Sequence, residues 1–351
     1  MVIAPHASSA VPERSGGWHA LMLARAVTRA SGGEWSVDLV SIGPKPGRCT
    51  LEPGLVSWEL PAATQPADPR DALSWELPAA LDNADVVHVH EAFRRGSGLA
   101  IALAVQRHLP LCISDLGSET DGLVREVGAA DLADLVVAFS GFGAGLIPTR
   151  RPVRIVPGGV DADVFTPAER PKRDRVVLVG PPEGEVVDHL IANVPRELGI
   201  TVLWPCGQDG DAGLQSRHPD REIEIVMAPP GDERCQHLQH AVVAVLPSAA
   251  GSRVDPVGLP GLIALSPLES MACGTPVICG PAWGLTEYVQ DDVTGWVVRD
   301  PDDLSRRLLP LASDRVSVER LGRQARARVE RAWRLEVVGV ELLATYSELA
   351  R

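Results

Sequence analysis

The sequence predicts an α/β protein with two domains, and three observations lead to this fold class. Short apolar runs that suit strands buried on both faces alternate with segments of helical periodicity along the chain. A charged, proline-containing segment at 166–174 interrupts this alternation, which restarts at Arg175. The length of 351 residues is enough for two domains of ordinary size. We therefore expect segment 166–174 to link two domains.

The first domain is predicted to combine short strands with one clearly amphipathic helix. Leu21, Ala24 and Val27 form the apolar stripe of this helix, which should cover 18–30. The predicted strands are 2–4, 37–42, 55–58, 85–91, 111–114, 135–140 and 153–156. Alternation along strand 85–91 puts His88 and His90 on the same face.

The heptapeptide Ser-Trp-Glu-Leu-Pro-Ala-Ala occurs twice in this domain. The copy at 57–63 is predicted to end a strand. The copy at 74–80 is predicted to lie in a helix, because Asp71 precedes it as a candidate cap. We interpret the echo as accidental, since context easily overrides local propensity.

The second domain repeats the alternation of strands and helices. Its predicted strands are 175–180, 201–204, 222–227, 242–247 and 277–279. Its predicted helices include 185–198 and 318–330, and a final helix covers 333–349.

The stretch 266–298 carries the clearest local pattern of the chain. Leu268 and Met271 recur at helical spacing, Gly274 follows as a helix stop, and Pro276 blocks continuation. A buried strand at 277–279 comes next, followed by a short helix at 285–290.

Two carboxylates in this stretch, Glu269 and Glu287, should lie near a sheet edge beside glycine-rich backbone. Open α/β sheets bind ligands at such an edge. A structural alternative exists for Glu269, because Ser266 to Glu269 has the form of a capping box with Pro267 at the first helical position.

Residues 268–277 read Leu-Glu-Ser-Met-Ala-Cys-Gly-Thr-Pro-Val, and Thr294-Gly295 follows at a distance. This resembles the LEAMACGTPVV…TG segment of the retaining glycosyltransferases of family 4, which have the GT-B fold. The resemblance implies two Rossmann-like, doubly wound domains that face a central cleft. The C-terminal helix 333–351 would cross back to the first domain (1–168), and the second domain would be 169–332.

The same resemblance implies retaining transfer of a sugar from a nucleotide-diphosphate sugar to a small-molecule, lipid or glycan acceptor. The second domain would bind the donor, with Glu269 on the ribose hydroxyls and Glu287 nearby. The leaving phosphate would take the acceptor proton, so no separate protein base is expected. The resemblance also implies that the enzyme uses no metal ion and no cofactor.

In the first domain the family has a glycine pair at the start of a helix, which Gly16 and Gly17 match. Their N–H groups would approach the donor diphosphate and the acceptor. His90 matches the second histidine of the family's DVVHVH strand and is the candidate on the acceptor side. A satisfied structural histidine is the alternative. A metal site with His88 is disfavoured, because no third ligand is evident.

The chain departs from the family at the loop that neutralises the donor diphosphate. The family's VGR-x-x-x-x-KG reads Val-Gly-Pro-Pro-Glu-Gly-Glu here, so Pro181 replaces the arginine and Glu185 falls at or near the lysine. Carboxylates beside a diphosphate are unfavourable. Arg253 and Arg14 are the candidate replacements for these cations.

The first carboxylate of the family's glutamate pair is also displaced. Counting back from Glu269 at the family's spacing reaches Gly261. Residues 252–259 resemble the family's SR-x-EPFGL, so an insertion at 260–265 would make Asp255 the first carboxylate. Gly258 and Leu259 would then offer N–H groups to a phosphate.

Composition narrows the partners. The net charge of −13 argues against nucleic acid, and six scattered cysteines imply no zinc or disulfide framework. The absence of a leader or a membrane-spanning run predicts a cytoplasmic protein. The alternative to an enzyme is a catalytically degenerate GT-B protein that binds a nucleotide, a sugar or a partner subunit. A GT-B phosphorylase or epimerase is a third, less favoured option.

Overall fold

The structure is a computed structural model, and it divides the chain into two compact units. It describes residues 2–3, 16–66, 71–90, 92, 94–114, 128–180, 185–204, 213–227, 230–246, 260–282 and 284–351. The first unit comprises 1–159, 256–261 and 335–351, and the second comprises 160–255 and 262–334. The division after Gly159 differs from the predicted boundary at 168/169, and it assigns segment 166–174 to the second unit.

The first unit is built on one sheet. Its strands are β1 (Val2–Ile3), β2 (Val37–Gly43), β3 (Gly47–Glu52), β4 (Leu55–Pro61), β5 (Val87–His90), β6 (Leu111–Ser114), β7 (Leu135–Ala138) and β8 (Val153–Ile155). Within the described residues their order is β3-β4-β2-β1-β5-β6-β7-β8. All neighbours pair in parallel except β3 and β4, which are antiparallel.

Helices lie between these strands along the chain. Those in the described residues are α1 (Gly16–Ala30), α2 (Leu77–Ala80), α3 (Arg95–Gln106) and α4 (Gly141–Ala144), together with the C-terminal helix given below. Strands β5 and β6 are buried along their whole length, as the apolar runs predict.

The second unit has a fully parallel sheet. Its strands are β9 (Arg175–Val179), β10 (Gly199–Trp204), β11 (Ile223–Met227), β12 (Ala241–Val245), β13 (Val277–Cys279) and β14 (Gly295–Val297). Their order in the described part of the chain is β11-β10-β9-β12-β13-β14. The chain thus starts in the middle, winds outward, and then crosses to the other side, which is the strand order of a Rossmann domain.

The helices from Glu185 onward complete both units. They are α5 (Glu185–Asn193), α6 (Leu214–Arg217), α7 (Gly231–His240), α8 (Pro260–Ala272), α9 (Leu285–Tyr288), α10 (Pro301–Leu308), α11 (Arg315–Ala332) and α12 (Leu335–Leu349). Among the described residues, no helix is both long and apolar enough to cross a bilayer.

Helix α8 corrects the prediction of a capping box. It begins at Pro260, so Ser266 and Pro267 lie in its interior and Glu269 does not cap its start. Leu265 and Leu268 are buried on either side of the proline. Their burial offsets the helix cost of Pro267, which lacks an N–H. Residues 260–265, predicted to be an insertion, are the first residues of this same helix.

Helix α12 belongs to the first unit and packs closely on α1. The approach requires glycine at Gly339, because a Cβ there would overlap the carbonyl oxygen of Ala26 and crowd the Cβ of Ala30. Helix backbones come this near only where one partner has no side chain.

Gly339→Ala is therefore expected to lower the free energy of unfolding by about 1–3 kcal/mol, the usual cost of overpacking. Urea denaturation of the purified chain measures it. The matched control is Gly98→Ala in α3, where a Cβ would meet open space. That change should be neutral or stabilise by up to about 1 kcal/mol through helix propensity. Equal effects of the two substitutions would contradict the close helix approach.

Candidate functional site

The order of the second sheet reverses between β9 and β12, and this point defines the candidate site. Both strands run in parallel, so their carboxyl ends, at Val179 and Val245, lie at the same edge. Helices α5 and α8 begin after these two strands. Open α/β sheets bind ligands outside the carboxyl ends at such a reversal.

Several predicted site residues lie outside the described residues. They are Arg14, Pro181, Arg253, Asp255, Gly258 and Leu259. By chain connectivity, 181–184 joins β9 to α5 and 247–259 joins β12 to α8. Gly16 and Gly17 are the first two residues of α1, and Glu185 is the first residue of α5. Their contacts with a ligand stay predictions.

Glu269 is buried in an ion pair with Arg234. The Arg234 guanidinium donates from Nε to Oε2 at 3.1 Å and from Nη2 to Oε1 at 2.8 Å. Only 3% of Arg234 and 5% of Glu269 are exposed, so the two charges are shielded together from water. The Phe165 ring lies 5.6 Å from the guanidinium carbon. This bidentate geometry fixes the carboxylate in one orientation.

The sequence interpretation missed Arg234. A signal for it exists in α7, where Arg234 shares a buried face with Leu238, one helical turn later. A charged residue on an apolar helix face requires a buried partner of opposite charge. The partner is the carboxylate that the motif already singled out.

Two thiols lie beside this ion pair. Cys273 follows Glu269 by one helical turn, Cys235 follows Arg234 directly, and their Sγ atoms are 3.8 Å apart. The hydrogen bond from Cys273 lowers the pKa of the Cys235 thiol to about 7, whereas burial raises the pKa of Cys273. Both are free thiols.

Glu287 has a different environment from Glu269. It lies on the short helix α9 with its side chain exposed, and its backbone carbonyl accepts a hydrogen bond from Arg328 Nη2 at 3.2 Å. Its predicted contact with a donor stays a prediction.

In the first unit, His90 ends β5 and is almost completely buried. Its Nδ1 lies 2.8 Å from Ser114 Oγ, at the end of the neighbouring strand β6. The rings of His88 and His90 are 4.3 Å apart, on one face of β5 as the alternation predicts. In the described ranges, no group of three or more His, Cys, Asp or Glu residues is arranged to hold a metal ion.

Comparisons with known proteins bear on both units. Residues 222–328, from β11 into α11, match the family described as Glycosyl transferases group 1. Sucrose-phosphate synthase from Thermosynechococcus elongatus superposes with a TM-score of 0.74 at 18% identity, covering 99% of this chain and 98% of that one. Anabaena HepE in complex with UDP and glucose superposes with a TM-score of 0.68 at 13% identity, with 99% and 98% covered. The fold is GT-B.

A curated relative matches at the sequence level over a shorter stretch. It is the GDP-mannose-dependent monoacylated alpha-(1-6)-phosphatidylinositol monomannoside mannosyltransferase of Corynebacterium glutamicum. Identity is 42% over 77 residues, which is 21% of this chain and 20% of the relative. The other two curated relatives are covered over 27% and 29% of their lengths. The chain thus spans less than a third of each curated relative that it matches.

Within the GT-B fold, a third buried histidine lies near His90. His19 in α1 is fully buried, and in the part of the chain that the structure describes neither of its ring nitrogens has a hydrogen-bond partner. Burial lowers its pKa to about 3, and the neighbouring His90 contributes in the same direction. His88 is shifted downward for the same first reason.

These shifts predict that stability falls in acid. The unfolded chain binds a proton at His19 below about pH 6.5, whereas the folded protein binds one only below about pH 3. The free energy of unfolding is therefore highest above pH 6.5 and decreases as the pH falls. At pH 5 the loss from His19 alone should be about 2 kcal/mol.

Urea denaturation at neutral pH and at about pH 5 measures this loss. The control is His19→Gln, which has no titrating ring and should reduce the loss by about that amount. The same pH dependence in both proteins would exclude His19 as its source.

Proposed function

We propose that this protein is a retaining glycosyltransferase that moves a sugar from a nucleotide-diphosphate sugar to an acceptor. The observation that carries the proposal is the family match at 222–328, because this segment contains Glu269 and includes β12, one of the two strands at the sheet reversal. The acceptor class remains a small molecule, a lipid or a glycan. Absence of a metal ion or cofactor, and a cytoplasmic location, stay predictions.

The geometry of Glu269 supports a ribose contact in addition to the ion pair. The Arg234 guanidinium donates one hydrogen bond to each oxygen of the carboxylate, and a carboxylate oxygen can accept more than one. Arg234 orients the carboxylate through these two hydrogen bonds, so it supports the proposed donor contact.

If Glu269 binds the ribose, removal of a ribose hydroxyl should weaken nucleotide binding. The wild type should bind a 2′-deoxynucleoside diphosphate about tenfold or more weakly than the ribonucleotide, since hydrogen bonds to charged groups contribute roughly 1.5–3 kcal/mol. In Glu269→Gln the two ligands should differ much less.

Isothermal titration calorimetry of both ligands against both proteins completes a cycle that isolates the contact. Because each comparison is made within one protein, any loss of stability in the variant cancels. An equal preference for ribose in wild type and variant would exclude the contact between Glu269 and the ribose.

The alternative is a GT-B protein that binds a nucleotide, a sugar or a partner without catalysis. The observation that favours it is the position of Glu185, which opens α5 after β9, near where the family has a lysine. A carboxylate at this position would repel a diphosphate that a lysine would neutralise.

Thermal denaturation with a panel of nucleoside diphosphates tests the binding step that both proposals share. A ligand that binds the native state raises the melting temperature by mass action. A rise with one base, and none with the others, would identify the donor nucleotide. No rise with any of them, at concentrations well above ordinary dissociation constants, would contradict donor binding.

A further inference from the structure

A chain of hydrogen bonds runs from the C-terminal helix to the end of β5. Tyr346 Oη lies 2.5 Å from His88 Nδ1, His88 Nε2 lies 2.9 Å from Ser114 Oγ, and Ser114 Oγ lies 2.8 Å from His90 Nδ1. All four side chains belong to the first unit and are at most 3% exposed. Water therefore does not compete for these bonds.

The proton on the Tyr346 hydroxyl determines which atom donates in the first hydrogen bond of this series. Burial raises the pKa of the phenol, so the hydroxyl keeps its proton. In the part of the chain that the structure describes, His88 is the hydrogen-bond partner of this hydroxyl. Tyr346 must therefore donate, and His88 Nδ1 must accept.

The donor and acceptor roles of His88 and Ser114 follow from this first bond. Burial lowers the pKa of His88 well below its usual value, so its ring is neutral. A neutral imidazole that accepts at Nδ1 carries its proton at Nε2. His88 Nε2 thus donates to Ser114 Oγ, and the Ser114 hydroxyl is left to donate to His90 Nδ1.

We propose that Tyr346 is a positioning residue that, through His88 and Ser114, fixes His90 as the tautomer with its proton on Nε2. His90 Nε2 then carries a hydrogen-bond donor, and this nitrogen does not act as a base. This assignment of the proton does not depend on the proposed function.

The reverse set of donors and acceptors is less favourable, because it leaves one buried donor without an acceptor. If His90 Nδ1 donated to Ser114, the serine would donate to His88 Nε2, and His88 Nδ1 would donate to Tyr346 Oη. The buried Tyr346 proton would then lack its acceptor. An unsatisfied buried donor of this kind disfavours a state by roughly tenfold to a hundredfold.

Nitrogen NMR of the ligand-free protein with ¹⁵N-labelled histidine tests the proposal. Two-bond correlations show which ring nitrogen carries the proton, and His90→Gln assigns the His90 signals. The wild type should show both His88 and His90 protonated at Nε2. A wild-type His90 protonated at Nδ1 would overturn the proposal, whatever the variants do.

Tyr346→Phe removes the hydroxyl and keeps the ring. Both directions then leave one unsatisfied group, so the Nδ1-protonated form of His90 should become detectable. The matched control is Tyr288→Phe, which changes the chain's other tyrosine, buried in the second unit, and should leave the His90 signals unchanged. A folded Tyr346→Phe protein with the wild-type His90 tautomer would also overturn the proposal. Because no ligand is present, an inactive protein gives the same answer.

Discussion

Arg234→Met is expected to lower the free energy of unfolding by about 3–5 kcal/mol, because it removes the positive charge that pairs with the buried Glu269 carboxylate. Methionine fills similar space and keeps the helix propensity of α7, so the lost charge dominates the effect. Urea denaturation at neutral pH measures it.

Two further variants make this result specific. Removing both charges, as Arg234→Met with Glu269→Met, should recover much of the loss, since apolar replacement of a whole buried ion pair is often near neutral. Arg196→Met removes one partner of the exposed pair with Asp220, whose side chains are 71% and 59% exposed. Exposed pairs contribute about 0–1 kcal/mol. If Arg234→Met costs no more than Arg196→Met, the ion pair does not stabilise the fold.

The second large effect concerns the positive charge that a departing nucleoside diphosphate needs. Arg253→Ala is expected to lower turnover by ~100-fold or more, the usual scale for losing one electrostatic donor at a developing charge. Arg253 belongs to the segment between β12 and α8, the two elements that border the sheet reversal in the second unit. Arg14, two residues before α1, is the second candidate.

Initial rates of nucleoside diphosphate release, for wild type, Arg253→Ala and Arg14→Ala, measure this effect. Arg331→Ala, an exposed charge in the last turn of α11, is the control. Pro181→Arg with Glu185→Lys restores the family's cations and should tighten diphosphate binding in an enzyme and in a degenerate protein alike. Full turnover in both Arg253→Ala and Arg14→Ala would exclude the replacement-arginine hypothesis.

The fold class and the buried strands could be predicted, because burial on both faces of a strand produces a short apolar run in the sequence. The end of α5 was missed although its signal is local. The predicted helix 185–198 stops at Asn193, two residues before Pro195, and a proline disfavours helical backbone in the residue before it. Strand β3 was missed because it is a largely exposed edge strand without an apolar pattern.

The repeated heptapeptide shows why local sequence is not enough. The copy at 57–63 contributes to β4, as predicted, and Leu77–Ala80 of the second copy form α2. The predicted cap at Asp71 is wrong, since Glu76 precedes the helix and makes no side-chain capping bond. Identical residues thus adopt two structures because their tertiary surroundings differ.

The candidate site was predictable in part, for a physical reason. Glu269 could be found because it lies in a dense local motif, whereas its partner Arg234 is 35 residues earlier and meets it only in the folded protein. The hydrogen bond between Tyr346 and His88 joins residues 258 positions apart in the sequence, so no local pattern contains it.

Sugar transfer itself is the central claim, and one measurement tests it most directly. The protein is incubated with nucleotide-diphosphate sugars and acceptors, released nucleoside diphosphate is quantified, and the anomeric configuration of the product is determined by NMR. We expect turnover with one donor, retention of configuration, and a large loss of rate in Arg253→Ala. Binding of a nucleoside diphosphate without turnover of any donor would contradict the claim and favour the non-catalytic alternative.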